Sequence, residues 1–126
     1  MNVDVLLAAV DGGHRLRGDA VVAAIAVRPA GTEVFAVVAT AGTTNLGIVD
    51  DIDGVADACT SAGAWLHIDG AYGGAAMAAP SVRHRFAGIQ RADSLVVDPH
   101  KWLFSPFDCA ALVYADPSLA RAAHTQ

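Results

Sequence analysis

A chain of 126 residues, 54% of them hydrophobic, is long enough for one core and too short for two independent domains. Its thirteen acidic and eight basic side chains leave a net charge of −5, which argues against a surface for nucleic acid or anionic lipid, since both need clustered lysine and arginine. The longest apolar run, residues 20–27, falls well short of the ~20 residues that cross a bilayer, and the first residues lack the basic-then-apolar order of a secretion signal, so a cytoplasmic protein is expected.

Taken in chain order, residues 3–10 are strand-like. Residues 19–28 are Ala-rich, open on Asp19 as a cap and stop at Pro29 and Gly31, which predicts a helix. Val34, Phe35, Val37 and Val38 show no polar alternation, so residues 33–40 read as a parallel strand covered on both faces. A turn-rich stretch, 41–47, follows. From Asp50 or Asp51 the apolar positions Ile52, Val55, Ala56 and Cys59 recur at helical spacing, acids crowd the first turn, and Gly63 supplies the stop. Residues 65–69 form a second short strand, 81–88 a helix after Pro80, and 94–98 a third strand. This βαβαβ order predicts an α/β fold on a parallel sheet. A last strand, 109–114, begins too soon after Lys101 for a crossover and should run antiparallel to its neighbour.

Cys59 and Cys109 stand far apart in no C-x-x-C pattern, so two reduced, partly buried thiols are expected, with neither a disulfide framework nor a zinc site. Lys101 is the only lysine among the eight basic residues. An amine can lose its proton and attack a carbonyl, whereas a guanidinium cannot, so this one position can carry imine chemistry.

In an open α/β sheet, ligands gather at the carboxyl ends of the strands. The residues that follow the three predicted strands are 40–44, 69–74 and 98–101. The strings Thr-Ala-Gly-Thr-Thr (40–44), His-Ile-Asp-Gly-Ala-Tyr-Gly-Gly (67–74) and Asp-Pro-His-Lys-Trp-Leu (98–103) resemble the signature of the group II pyridoxal-phosphate (PLP) amino-acid decarboxylases, the family of the aromatic-amino-acid and glutamate decarboxylases. The likeness runs from about Asp11 to the end of the chain. It implies part of an aspartate-aminotransferase-type large domain (PLP fold type I), whose mostly parallel sheet has one antiparallel strand.

The resemblance also implies roles. Lys101 would form the internal aldimine with the cofactor aldehyde, and Asp69 would hold a proton on the pyridine nitrogen, keeping the ring an electron acceptor. Ala71 would lie against the flat ring, where a larger side chain would collide with it. Thr44 would donate to a cofactor or substrate oxygen, and His100 would sit near the cofactor phosphate. The expected reaction removes the α-carboxylate of an L-amino acid as CO2, with no metal, in an enzyme that is a homodimer when intact.

Plainer readings exist for the same residues. On local pattern alone Asp69 is a turn or cap residue and Thr43-Thr44 a hydroxyl-rich loop. His67 shares a strand face with Asp69 and reads as a hydrogen-bonded core histidine; His14, His84 and His124 show no ligand spacing. Gly73-Gly74 belongs to no nucleotide-binding pattern, and Trp102 reads as a core anchor beside Lys101. Because family members are several times longer, residues 1–126 are expected to be a partial PLP-binding large domain, without its upstream part or the C-terminal small domain. A mean hydropathy of +0.41 fits surfaces that face such absent parts. Two alternatives stay open: a truncated, catalytically silent chain, and an aminotransferase of the same fold.

Overall fold

The structure is a computed structural model that describes residues 3–125; Met1 and the side chain of His124 lie outside the described residues. Four strands, β1 (Ala36–Thr40), β2 (Trp65–Asp69), β3 (Ser94–Val97) and β4 (Ala111–Tyr114), form one sheet in the order β1-β2-β3-β4. β1, β2 and β3 are parallel and β4 is antiparallel to β3. This mixed sheet is the α/β arrangement expected, including the direction of the last strand.

Helix α2 (Ile52–Ala62) connects β1 to β2, and its ends follow from local chemistry. The Asp51 carboxylate accepts from Gly54 N–H, satisfying one of the free donors of the first turn, and Gly63 takes the left-handed conformation that closes the helix. Ile52, Val55, Ala56 and Cys59 then fall on one buried stripe against Ala39, Leu66 and Ile68 of the sheet. Burying each of the larger aliphatic side chains is worth about 1.5–3 kcal/mol, so this stripe is the main source of stability.

Helix α1 (Gly18–Ala26) packs on α2 and starts one residue before the predicted position. Asp19 is not its cap: Arg17 holds that position without a side-chain bond, and Asp19 lies within the first turn. A Cβ at Gly18 would stand 2.2 Å from the carbonyl oxygen of Gly54, so only glycine fits where α1 meets α2.

Further expectations are corrected. β1 begins at Ala36, paired with the first residue of β2, Trp65, and before it only Phe35 O is still bonded to β2, accepting from Trp65 N–H at 2.9 Å. The sheet is covered on one face only among the described residues: Ala39 is buried, while Val38, pointing the other way, is 59% exposed. The open face carries Val38, His67, Ser94 and Tyr114 in one cross-strand row. There the indole N–H of Trp65 donates to Ser94 Oγ at 2.8 Å and His67 Nδ1 lies 2.8 Å from the same oxygen, so His67 is hydrogen-bonded as expected but stands half-buried on the open face and not in the core.

The β2 to β3 connection is built of 3-10 turns at Gly73–Ala78, Arg83–Phe86 and Ile89–Arg91 rather than a helix over 81–88. Gly88, with φ of +91°, is outside the helical region, and a Cβ there would stand 2.5 Å from Asp53 Cα, so only glycine fits. The strand-like residues 3–10 make only an isolated bridge, Val10 to Leu16, having no neighbouring strand to pair with. A third helix, α3 (Pro117–His124), was not anticipated, although Asp116 caps it and Pro117 opens it.

Cys59 and Cys109 are both free thiols. Burial under α2 pushes the Cys59 thiol up from its ordinary range, with the nearby Asp93 charge adding to the effect. Because the thiolate is the reactive form, a disulfide reagent at pH 8 should label the half-buried Cys109 and leave Cys59 untouched until the chain is denatured. Equal labelling rates in the native protein would contradict that packing.

Candidate functional site

Thr40, Asp69 and Val96 occupy one row across β1, β2 and β3, near the carboxyl ends of all three strands. Hydrogen bonds continue past this row. Ala41 N–H donates to Asp69 O at 2.7 Å, Gly70 N–H to Val96 O at 3.0 Å, and Asp98 N–H to Ala71 O at 3.2 Å. The three segments picked out by their position after strands therefore meet on one rim.

Two glycines set the spacing between the first two segments. A Cβ on Gly73 would fall 2.5 Å from Gly42 Cα, and Gly42 has φ of +101°, so only backbone fits between the loops. Asp50 fixes the first loop from beneath: this buried carboxylate accepts from Leu16 N–H at 2.8 Å and Thr40 N–H at 2.7 Å. Sequence reasoning missed that role, since Asp50 reads there as one more acid at a helix start.

Asp69 ends β2 with an exposed carboxylate whose Oδ1 accepts from Ala71 N–H at 3.1 Å, a local turn that aims the group off the rim. No described residue bonds its other oxygen. The backbone of Ala71 is used on both sides, toward Asp69 and Asp98, and the residue is half-buried. Thr43 and Thr44 separate in function: Thr43 Oγ accepts from Ile48 N–H at 3.1 Å and shapes the loop, while Thr44 is exposed.

Residues 98–101 form a tight turn in which Lys101 N–H donates to Asp98 O at 3.0 Å. Pro99 sits at its second position, where a fixed φ near −65° suits such turns. The turn brings Lys101 Nζ within 2.8 Å of Asp98 Oδ2; the side chains are 35% and 14% exposed. The ring of His100 lies back toward β4, with Cys109 N–H donating to Nδ1 at 3.2 Å and Phe107 edge-on at 5.3 Å. Only its Nε2 is left to face a ligand. Trp102, expected as a core anchor, is 48% exposed and touches Tyr72 edge-on at 5.4 Å, which ties the turn to the Asp69 loop.

No group of metal-binding side chains occurs among the described residues. Thr44, Asp69 and Lys101 are exposed on this rim, and Ala71 and His100 are half-buried. What it offers is one amine, one exposed carboxylate, a small residue whose backbone bonds link the two segments and a hydroxyl on the next loop. Those groups fit an aromatic aldehyde with a basic ring nitrogen.

Comparison with known proteins agrees with that chemistry. Residues 1–125 match the pyridoxal-dependent decarboxylase conserved domain. The chain is 42% identical over 109 residues to an aromatic-L-amino-acid decarboxylase of Manduca sexta, covering 85% of this chain and 21% of that protein. It is 47% identical over 88 residues to the cysteine sulfinic acid decarboxylase of Rattus norvegicus, covering 70% and 18%. Among solved structures, mouse CSAD superposes with a TM-score of 0.86 at 39% identity, covering 93% of this chain and 25% of that one. The chain thus spans about a fifth of the length of the curated relatives it matches.

Proposed function

The chain belongs to the pyridoxal-dependent decarboxylase family, and from that membership we infer that it supplies the cofactor-bearing rim of an enzyme that removes the α-carboxylate of an L-amino acid as CO2. The observation that carries this reading is the hydrogen-bonded path from Asp69 through Ala71 to Asp98 and Lys101, which ties a carboxylate and the only lysine of the chain to one edge of the sheet.

Pyridoxal phosphate, when bound, supplies an electron-accepting ring. Lys101 contributes the amine that bonds the cofactor aldehyde. Asp69 holds the proton on the ring nitrogen, since a carboxylate beside a cation keeps both charged. Ala71 would give the ring a small neighbour, Thr44 would donate a hydrogen bond to an oxygen of cofactor or substrate, and His100 would help hold the phosphate. Choice of amino acid lies elsewhere: the relatives named above act on an aromatic amino acid and on cysteine sulfinic acid, at comparable identity. A cytoplasmic location, supported by two unpaired thiols, and a homodimer, supported by the open face of the sheet with Val38 exposed on it, belong to the same reading.

The exposure of the rim favours a second reading, in which the chain binds PLP without turnover, because a site open to water holds reactive groups poorly. Incubation with PLP and a panel of L-amino acids separates the two. CO2 release that disappears in Lys101→Ala is the expected result; PLP bound at Lys101 with no CO2 from any amino acid leaves only the binding role.

A further inference from the structure

We propose that Asp98 is a positioning residue for Lys101, holding its side chain on the rim so that the amine faces the place where the cofactor aldehyde arrives. The inference rests on the reading of Lys101 given above and adds a partner that none of its known roles requires.

Three observations carry it. The Asp98 carboxylate meets Lys101 Nζ at 2.8 Å and is the more buried member of the pair, so the fixed group is the acid and the held group is the amine. Asp98 is itself anchored, because its N–H donates to Ala71 O and its carbonyl accepts from Lys101 N–H, tying it to the loop that carries Asp69. The turn between the two residues has Pro99 at its second position, so the spacing of acid and amine is built into the backbone. A lysine has four rotatable side-chain bonds, and tethering its end removes much of the freedom that would otherwise carry the amine off an open rim. The pair is also partly solvated, so it is weak enough to open when the amine is needed for bonding.

Lys101 being the only lysine makes the test direct. The chain without cofactor, as native protein, Asp98→Asn and Asp98→Glu, is treated with limiting trinitrobenzenesulfonate. The ratio of label on Lys101 to label on the α-amino group is read by peptide mass. Asp98→Asn is expected to raise this ratio about two- to fivefold, the scale of a partly exposed ion pair, and Asp98→Glu to stay near the native value. In parallel, borohydride trapping with PLP should move the opposite way, with less pyridoxyl group on Lys101 in Asp98→Asn at a fixed PLP concentration and recovery in Asp98→Glu. A release of Lys101 through unfolding would raise both labels together and would not be rescued by glutamate.

An unchanged trinitrophenyl ratio in Asp98→Asn overturns the proposal, whatever PLP does. Failure of native Lys101 to take up PLP while the trinitrophenyl ratio rises has a different meaning: Asp98 holds the amine, and the cofactor role assigned to it falls.

Discussion

Lys101→Arg is expected to abolish covalent capture of pyridoxal phosphate while leaving the fold intact. Arginine keeps the positive charge and can still reach Asp98, but its guanidinium does not lose a proton under ordinary conditions and so cannot bond an aldehyde. Lys101 lies on an exposed turn outside the core, so the larger head group meets no packed neighbours. Native chain treated with PLP and borohydride should yield a pyridoxyl mass on the peptide containing His100, Lys101 and Trp102. The variant should show it on the α-amino group alone, with an unchanged far-ultraviolet circular dichroism spectrum. Asp69→Ala should keep the label on Lys101 but require roughly tenfold more PLP or beyond, since a charge-assisted hydrogen bond to the ring contributes about 1.5–3 kcal/mol. No pyridoxyl group on Lys101 of the native chain at saturating PLP would end the cofactor assignment for this chain.

Gly73→Ala should lower the melting temperature by about 10 °C, whereas Gly74→Ala, one residue away, should leave it nearly unchanged. The added methyl at position 73 would lie 2.5 Å from Gly42 Cα and 2.6 Å from Ala41 O, both backbone atoms that cannot swing aside. Overpacking of that kind costs about 1–3 kcal/mol or more. At position 74 the nearest atom is Val97 Cγ2 at 3.7 Å, an ordinary contact. The comparison isolates the contact from any general loss of glycine freedom. It also reaches function, because the first two rim loops cannot separate without moving Thr44 away from Asp69. Equal melting temperatures for the two variants would show that the loops are not in contact as described.

Much of this architecture lies in short-range signals that any chain of this sequence would carry. The ends of α2 follow from Asp51 and Gly63, the second strand from the apolar run before Asp69, and the antiparallel β4 from a connection too short for a crossover. The rim residues were found because strand ends and motif strings coincide, and each of those is a property of neighbours in sequence. Other features depend on residues distant in the chain. Gly18 meets Gly54 so closely that only glycine fits, the register with β2 starts at Ala36 and Trp65, and Gly88 meets Asp53 at the end of the stretch where a helix is expected.

The site divides in the same way. Residue type alone points to Lys101, since only one side chain here has the required amine. The use of Asp50, whose two oxygens serve Leu16 and Thr40, residues that both precede it and lie far apart from one another in sequence, needed the fold. So did the turn of His100 toward Cys109 and the contact of Trp102 with Tyr72. Sequence specifies which groups are present and the local conformations they prefer. Which of them meet is decided by packing, because burying α2 against one face of the sheet fixes the loops at its rim to within the width of a glycine.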